Sequence, residues 1–182
     1  MVVYEESGLS VSLPVGAHFR FADLPGYQAL CGQHLKEMDF AWIDNGELLL
    51  LEVRDYGGSC ATLSGADFVP GQRLPIPWRF QTLIDKLTDS LLMLLAAWAG
   101  TGRGQALRAQ LPTPARARLP LRLVVAIELP AALTIHLGPL RDMLNQRLRG
   151  RIALADVSSV ALLDYTRLIN HPRFRPYIRK LS

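Results

Sequence analysis

The chain has 182 residues, 49% apolar and 20% charged, which suits one folded domain with its own core and excludes a disordered polymer. Net charge is +4 but unevenly spread: residues 1–100 carry 6 Lys/Arg against 12 Asp/Glu, and residues 101–182 carry 14 against 4. An acidic first half joined to a basic second half suggests a surface for an anionic partner, with a solvated basic face as the alternative.

In chain order, residues 9–13 (LSVSL) and 17–22 (AHFRFA) read as two short strands broken by Pro14-Val15-Gly16. Pro25-Gly26 marks a turn, followed by a short helix over 27–35. Residues 36–43 (KEMDFAWI) and 47–54 (ELLLLEVR) read as a hairpin, because Asp44-Asn45-Gly46 tolerates the positive φ angles of a tight turn. Residues 56–78 are rich in Gly, Ser and Pro and read as a long loop, with a short strand near 60–64. A loop of that length in a compact domain is often functional. Residues 79–98 carry apolar side chains at helical spacing, from Phe80 through Leu83, Leu87, Leu91 and Leu94 to Trp98. Gly100 ends that helix. Residues 101–120 read as a Pro/Arg-rich connection with at most one helical turn, 121–129 (LRLVVAIEL) as a buried strand and 138–149 as a helix with Pro139 in its first turn. Residues 158–164 read as a last strand, followed by a basic, aromatic tail. No internal repeat and no second core stand out.

The expected fold is α/β, a mixed central β-sheet flanked by helices. The strand at 47–54, the helix at 79–98 and the strand at 121–129 would form a right-handed βαβ crossover. One domain spans 1–182, with a core at about 36–164 and a basic tail at 165–182. No basic leader precedes an apolar stretch at the start, and Leu91–Ala99, the longest apolar run, is too short for a bilayer, so a cytoplasmic protein is expected. Cys31 and Cys60 have no metal-ligand spacing and read as reduced thiols. Of the 20 basic residues 17 are Arg, which hints at a GC-rich bacterial genome. The four histidines show no paired spacing, so a zinc site is not expected.

The chemistry concentrates on the hairpin. Glu52 and Arg54, two apart in a strand, share a face, and the antiparallel partner can bring Asp39 beside them. Charge at the end of a buried strand is costly unless it binds something. Two converging carboxylates are a natural seat for Mg²⁺ or Mn²⁺.

Asp39 followed by Glu52-Val53-Arg54 resembles the motif of the PD-(D/E)XK, or restriction-endonuclease-like, nuclease superfamily over roughly residues 36–130. The sequence departs from that motif at its third position, where Arg54 stands in place of Lys. The resemblance implies a restriction-endonuclease-like core and a magnesium-dependent hydrolase cutting DNA or RNA. Asp39, Glu52 and the Val53 backbone carbonyl would then hold the metal, and Arg54 would contact the scissile phosphate or the attacking water. Arg cannot readily give up a proton. Three readings of Arg54 therefore stand side by side: an electrostatic substitute, a bystander to a lysine from elsewhere with Lys86 the best placed, or a neutralising partner in a dead site. Gln81, Lys86 and Glu37 are further supporting candidates; a solvated helix position is the plainer reading of Lys86, and a surface role is the alternative for the other two. Arg173, Arg175, Arg179 and Lys180, interleaved with Phe174 and Tyr177, are the candidate nucleic-acid contacts. Docking of the tail onto the protein itself is the alternative. A nuclease-fold module without catalysis, binding nucleic acid or a partner protein, is the second functional expectation, and a partner that supplies specificity fits either. An unrelated α/β interaction protein with a structural ion cluster is the third.

Overall fold

The structure, a computed structural model, describes residues 1–30, 34–59, 63–71 and 76–181. The two cysteines and most of the strand expected near 60–64 lie outside the described residues. A five-stranded mixed sheet forms the centre, in the order β3 (His18–Phe19), β4 (Phe40–Asp44), β5 (Glu47–Asp55), β6 (Leu121–Glu128), β7 (Val160–Leu163). β4 runs antiparallel to β5, while β5, β6 and β7 are mutually parallel. A second sheet, β1 (Val2–Glu6), β2 (Leu9–Leu13) and β8 (Ile178–Lys180), is antiparallel.

The side-chain alternation of β5 explains the layering. Leu48 and Leu50 face α2 (Trp78–Ala99) and α4 (Leu137–Ala153), in a cluster with Leu83, Leu87, Leu91, Leu144 and Leu148. Leu49, Leu51 and Val53 face the other way, against Leu9, Val11 and Leu13 of β2, Tyr165 and Leu168 of α5 (Tyr165–Asn170) and Ile178 of β8. A strand covered on both faces reads as a continuous apolar run, as 48–53 does apart from Glu52. The sheet thus has an apolar cluster on each face, where the sequence suggested one. The tail is not an appendage: α5 and β8 complete the second layer.

Four further boundaries differ from expectation. β4 starts at Phe40, so Lys36–Asp39 form an extended lead-in rather than a strand. The strand expected over 17–22 is only two residues long before a 3₁₀ turn at Phe21–Asp23. The short helix after Pro25 is α1 (Pro25–Gln28). The connection after α2 contains a nine-residue helix, α3 (Gly102–Gln110), whose Thr101 cap accepts a hydrogen bond from the Gly104 amide. α3 packs so closely on α2 that a Cβ at Gly104 would lie 2.0 Å from the Ala96 carbonyl oxygen. The glycine is a packing requirement there, although it resembles loop composition.

The lead-in to β4 is tied to α2 by a polar stripe. The Lys36 amide donates to Asp89 at 2.9 Å, Lys36 Nζ donates to Asp85 at 2.7 Å, and the Met38 amide donates to buried Ser90 Oγ at 2.9 Å. These contacts set where Asp39 emerges. Ser90→Ala leaves the buried Met38 N–H without an acceptor, which costs about 1–3 kcal/mol. Urea unfolding should show a loss in that range; an unchanged midpoint would mean that the lead-in is not held by this bond.

Candidate active site

Asp39 substitutes for a strand partner. The β4–β5 ladder begins at Phe40 opposite Leu51, and one step further out Asp39 Oδ2 accepts the Val53 amide at 2.9 Å. The Arg20 guanidinium holds the Asp39 carbonyl at 3.2 Å. Glu52, on the α2-facing side of β5, is fully buried. Lys86, from the middle of α2, reaches both: its Nζ donates to Asp39 Oδ1 at 3.1 Å and lies 2.9 Å from the Glu52 carboxylate. Two carboxylates within about 3 Å of one ammonium nitrogen can share a single cation. The Lys86 side chain is only 11% exposed, so the solvated-helix reading of it does not hold.

Arg54 sits on the rim, 28% exposed, with Nη2 2.7 Å from Glu52 Oε1. This approach is an ion pair off the line of a hydrogen bond, and Oε1 is buried without a directed donor. Two acids and two bases therefore form a quartet that is electrically neutral when all are ionised. Burial pushes the Glu52 carboxyl up to about 8, Asp39 adds to the rise, and Lys86 and Arg54 oppose it.

The other candidates separate. Glu37 points away, accepting the Tyr27 hydroxyl. Gln81 donates to Asp85 on its own helix. Arg173 is held by the hairpin, 2.8 Å from Asp44 and 2.6 Å from Glu47, with the Tyr177 hydroxyl donating to Asp44 at 3.1 Å. Lys180 pairs with Glu128 at 2.8 Å. Arg175 and Arg179 are exposed. Of the tail cations, Arg173 and Lys180 thus serve at least partly to dock the tail.

Among the described residues, no three His, Cys, Asp or Glu side chains gather as a metal cluster. A divalent ion here would have Asp39, Glu52 and water. The Val53 carbonyl is a further oxygen, on the residue whose amide points to Asp39, with Ser7 Oγ 3.5 Å from it. This all-oxygen set fits a hard cation, and its shared position is the one Lys86 Nζ takes. Ser90 and the Asp85/Asp89 pair, which position Asp39, were not singled out from sequence. Their spacing of four marks a helix face, but a polar helix face reads by default as solvent-exposed. No helix among the described residues is long and apolar enough to cross a membrane. Comparison with protein-family models, curated proteins and solved structures returned no match, so the site's own chemistry carries the functional reading.

Glu52 makes stability depend on pH with a definite sign. Its ordinary value is 4.5 and its folded value is raised, so between about 4.5 and 8 the folded chain holds a proton that the unfolded chain has lost. The stabilisation from this group is complete below 4.5 and is lost as pH rises through 8. Denaturant unfolding across pH 5–8 should show this downward slope in wild type, and Glu52→Gln should lack it. Parallel slopes in the two proteins would contradict the assignment.

Proposed function

We propose that this protein is a metal-dependent phosphodiesterase of the PD-(D/E)XK type, acting on DNA or RNA, with Lys86 supplying the lysine that the motif lacks at Arg54. The observation that carries the reading is the meeting of Lys86 with both Asp39 and Glu52. The strand order supports it: a hairpin brings the Asp and the Glu together, and the helix that follows the Glu strand returns to a parallel neighbour. That is the arrangement expected of a restriction-endonuclease-like core.

In this reading Asp39 and Glu52 hold Mg²⁺ or Mn²⁺ with the Val53 carbonyl, and the ion supplies Lewis-acid stabilisation and a more acidic bound water. Lys86, displaced from between the carboxylates, would orient the attacking water by donating to it; as an ammonium it has no lone pair with which to take a proton. Arg54, already at the rim, contacts the phosphate oxygens as a fixed charge. The exposed Arg175 and Arg179 supply sequence-independent contacts to the backbone.

One observation favours the second reading, a nuclease-fold binding module. Even with both carboxylates ionised, Lys86 and Arg54 already neutralise them, which leaves an ion no charge to compensate unless Lys86 moves.

Calorimetric titration with Mn²⁺ separates the two. The enzyme reading expects binding that Asp39→Ala or Glu52→Ala removes, and cleavage of plasmid or single-stranded DNA that Lys86→Ala lowers about a hundredfold or more, a size typical of losing one preorganised charge. Lys86→Ala should keep or strengthen Mn²⁺ affinity, because the competing ammonium is gone. In the module reading wild type is inert with every common divalent ion, and Lys86→Ala instead destabilises the fold by about 3–5 kcal/mol.

A further inference from the structure

Of the three tryptophans, Trp42 is fully buried and Trp98 is half-buried, its Nε1 donating to the Ala115 carbonyl at 2.9 Å. Trp78 is different: it opens α2 and is 65% exposed. A lone exposed apolar side chain is ordinary. The surroundings of this one are not. The Arg79 guanidinium lies 4.5 Å from the Trp78 ring centroid, 5.7 Å from that of Tyr56 and 5.9 Å from that of Phe68. Tyr56 and Phe68 meet edge to face at 5.0 Å. Phe68 is buried, and its loop is fixed by Ser64 and Asp67, each of whose side chains takes the other's backbone amide.

Arg79 is thus held by rings more than by acids. Among the described residues its one ion pair, to Asp67, is long at 3.5 Å, and its Nε is buried with no acceptor. The charge sits where the first turn of a 22-residue helix has no side-chain cap and no acidic residue. The unbonded amides of that turn reinforce a positive field. Tyr56 joins this cluster to the carboxylates: it follows β5 directly, and with Glu52 and Arg54 it continues the alternate positions along that strand. In the other direction Lys86 lies eight residues along α2 from Trp78, about 12 Å of axis.

We propose that Trp78 and Arg79 form a subsite for an unpaired nucleotide, the base stacking on the exposed indole and its phosphate meeting Arg79, within a strand whose neighbouring phosphate lies at Asp39, Glu52 and Lys86. The subsite rests on the nucleic-acid reading above and names its substrate class as single-stranded or locally unpaired. An indole accepts the face of any base, so this contact is tolerant of sequence; a base in a duplex has no free face to offer. Arg54, two positions before Tyr56 in the chain, and Arg79, 5.7 Å from its ring centroid, contribute phosphate contacts and no base preference.

The test is tryptophan fluorescence in EDTA, so that binding is read without cleavage. The ligands are oligo(dT), an abasic oligomer of equal length, and a blunt duplex. Oligo(dT) should quench the exposed indole of wild type, while the abasic oligomer should bind more weakly without quenching and the duplex should not quench. Trp78→Ala should abolish the quenching and weaken oligo(dT) binding about tenfold or more, Trp78→Phe should restore most of that affinity, and Arg79→Gln should weaken the abasic oligomer as well. Equal oligo(dT) affinity for wild type and Trp78→Ala, with no change in emission, would overturn the subsite even if metal-dependent cleavage were found. Stacking by a protein that never cleaves would sustain the subsite and overturn the nuclease reading. No oligo(dT) binding by wild type would overturn the subsite, and the Mn²⁺ cleavage assay alone would then decide the nuclease reading.

Discussion

The site depends on one ammonium group. Lys86 Nζ reaches Asp39 at 3.1 Å and Glu52 at 2.9 Å in a place largely closed to water. Two carboxylates this close and this buried repel each other strongly, and each loses much of its hydration. A cation between them opposes that repulsion, although burial still holds the Glu52 carboxyl above its ordinary range. α2 brings that cation, and the same helix face, through Asp85, Asp89 and Ser90, fixes the lead-in that carries Asp39. Helix, lead-in and strand are therefore held in register by one polar seam in an otherwise apolar layer.

This seam has two chemical outcomes. If Lys86 is permanent, the quartet with Arg54 is a structural ion cluster, and an apolar replacement of similar volume could serve nearly as well. If Lys86 is exchangeable, the same oxygens are a divalent-ion seat already shaped around a positive charge, with a lysine ready beside it. The long unbranched stem of Lys suits exchange, and the rim position of Arg54 suits contact with a substrate rather than with the ion. The aromatic cluster of Tyr56, Phe68, Trp78 and Arg79 lies at the end of the same strand and at the start of the same helix. This proximity makes the exchangeable role the more economical account of both features.

Much of this was legible in the sequence, for identifiable reasons. The Asn45-Gly46 turn sets the hairpin, and strand alternation then pairs Glu52 with Arg54. The apolar stripe of α2 and the β-branched run of β6 give the parallel unit. What was hidden follows equally physical rules. β1 is an edge strand with only partly buried side chains, so VVYEE carries no clear pattern. α3 was masked by Gly102, Gly104 and Pro112, residues that usually mark a loop. The role of Lys86 could not be read because a polar face on a helix looks the same whether it meets water or a buried acid. Arg173 looked like a phosphate contact because its acidic partners, Asp44 and Glu47, lie more than 120 residues earlier.

The most direct test is the anomalous signal of Mn²⁺ soaked into crystals of the wild-type protein. The account predicts a peak between Asp39 and Glu52, within coordination distance of the Val53 carbonyl, with Lys86 Nζ withdrawn from its present position. Crystals soaked at saturating Mn²⁺ with no peak there, and with Lys86 still bridging the two carboxylates, would contradict it.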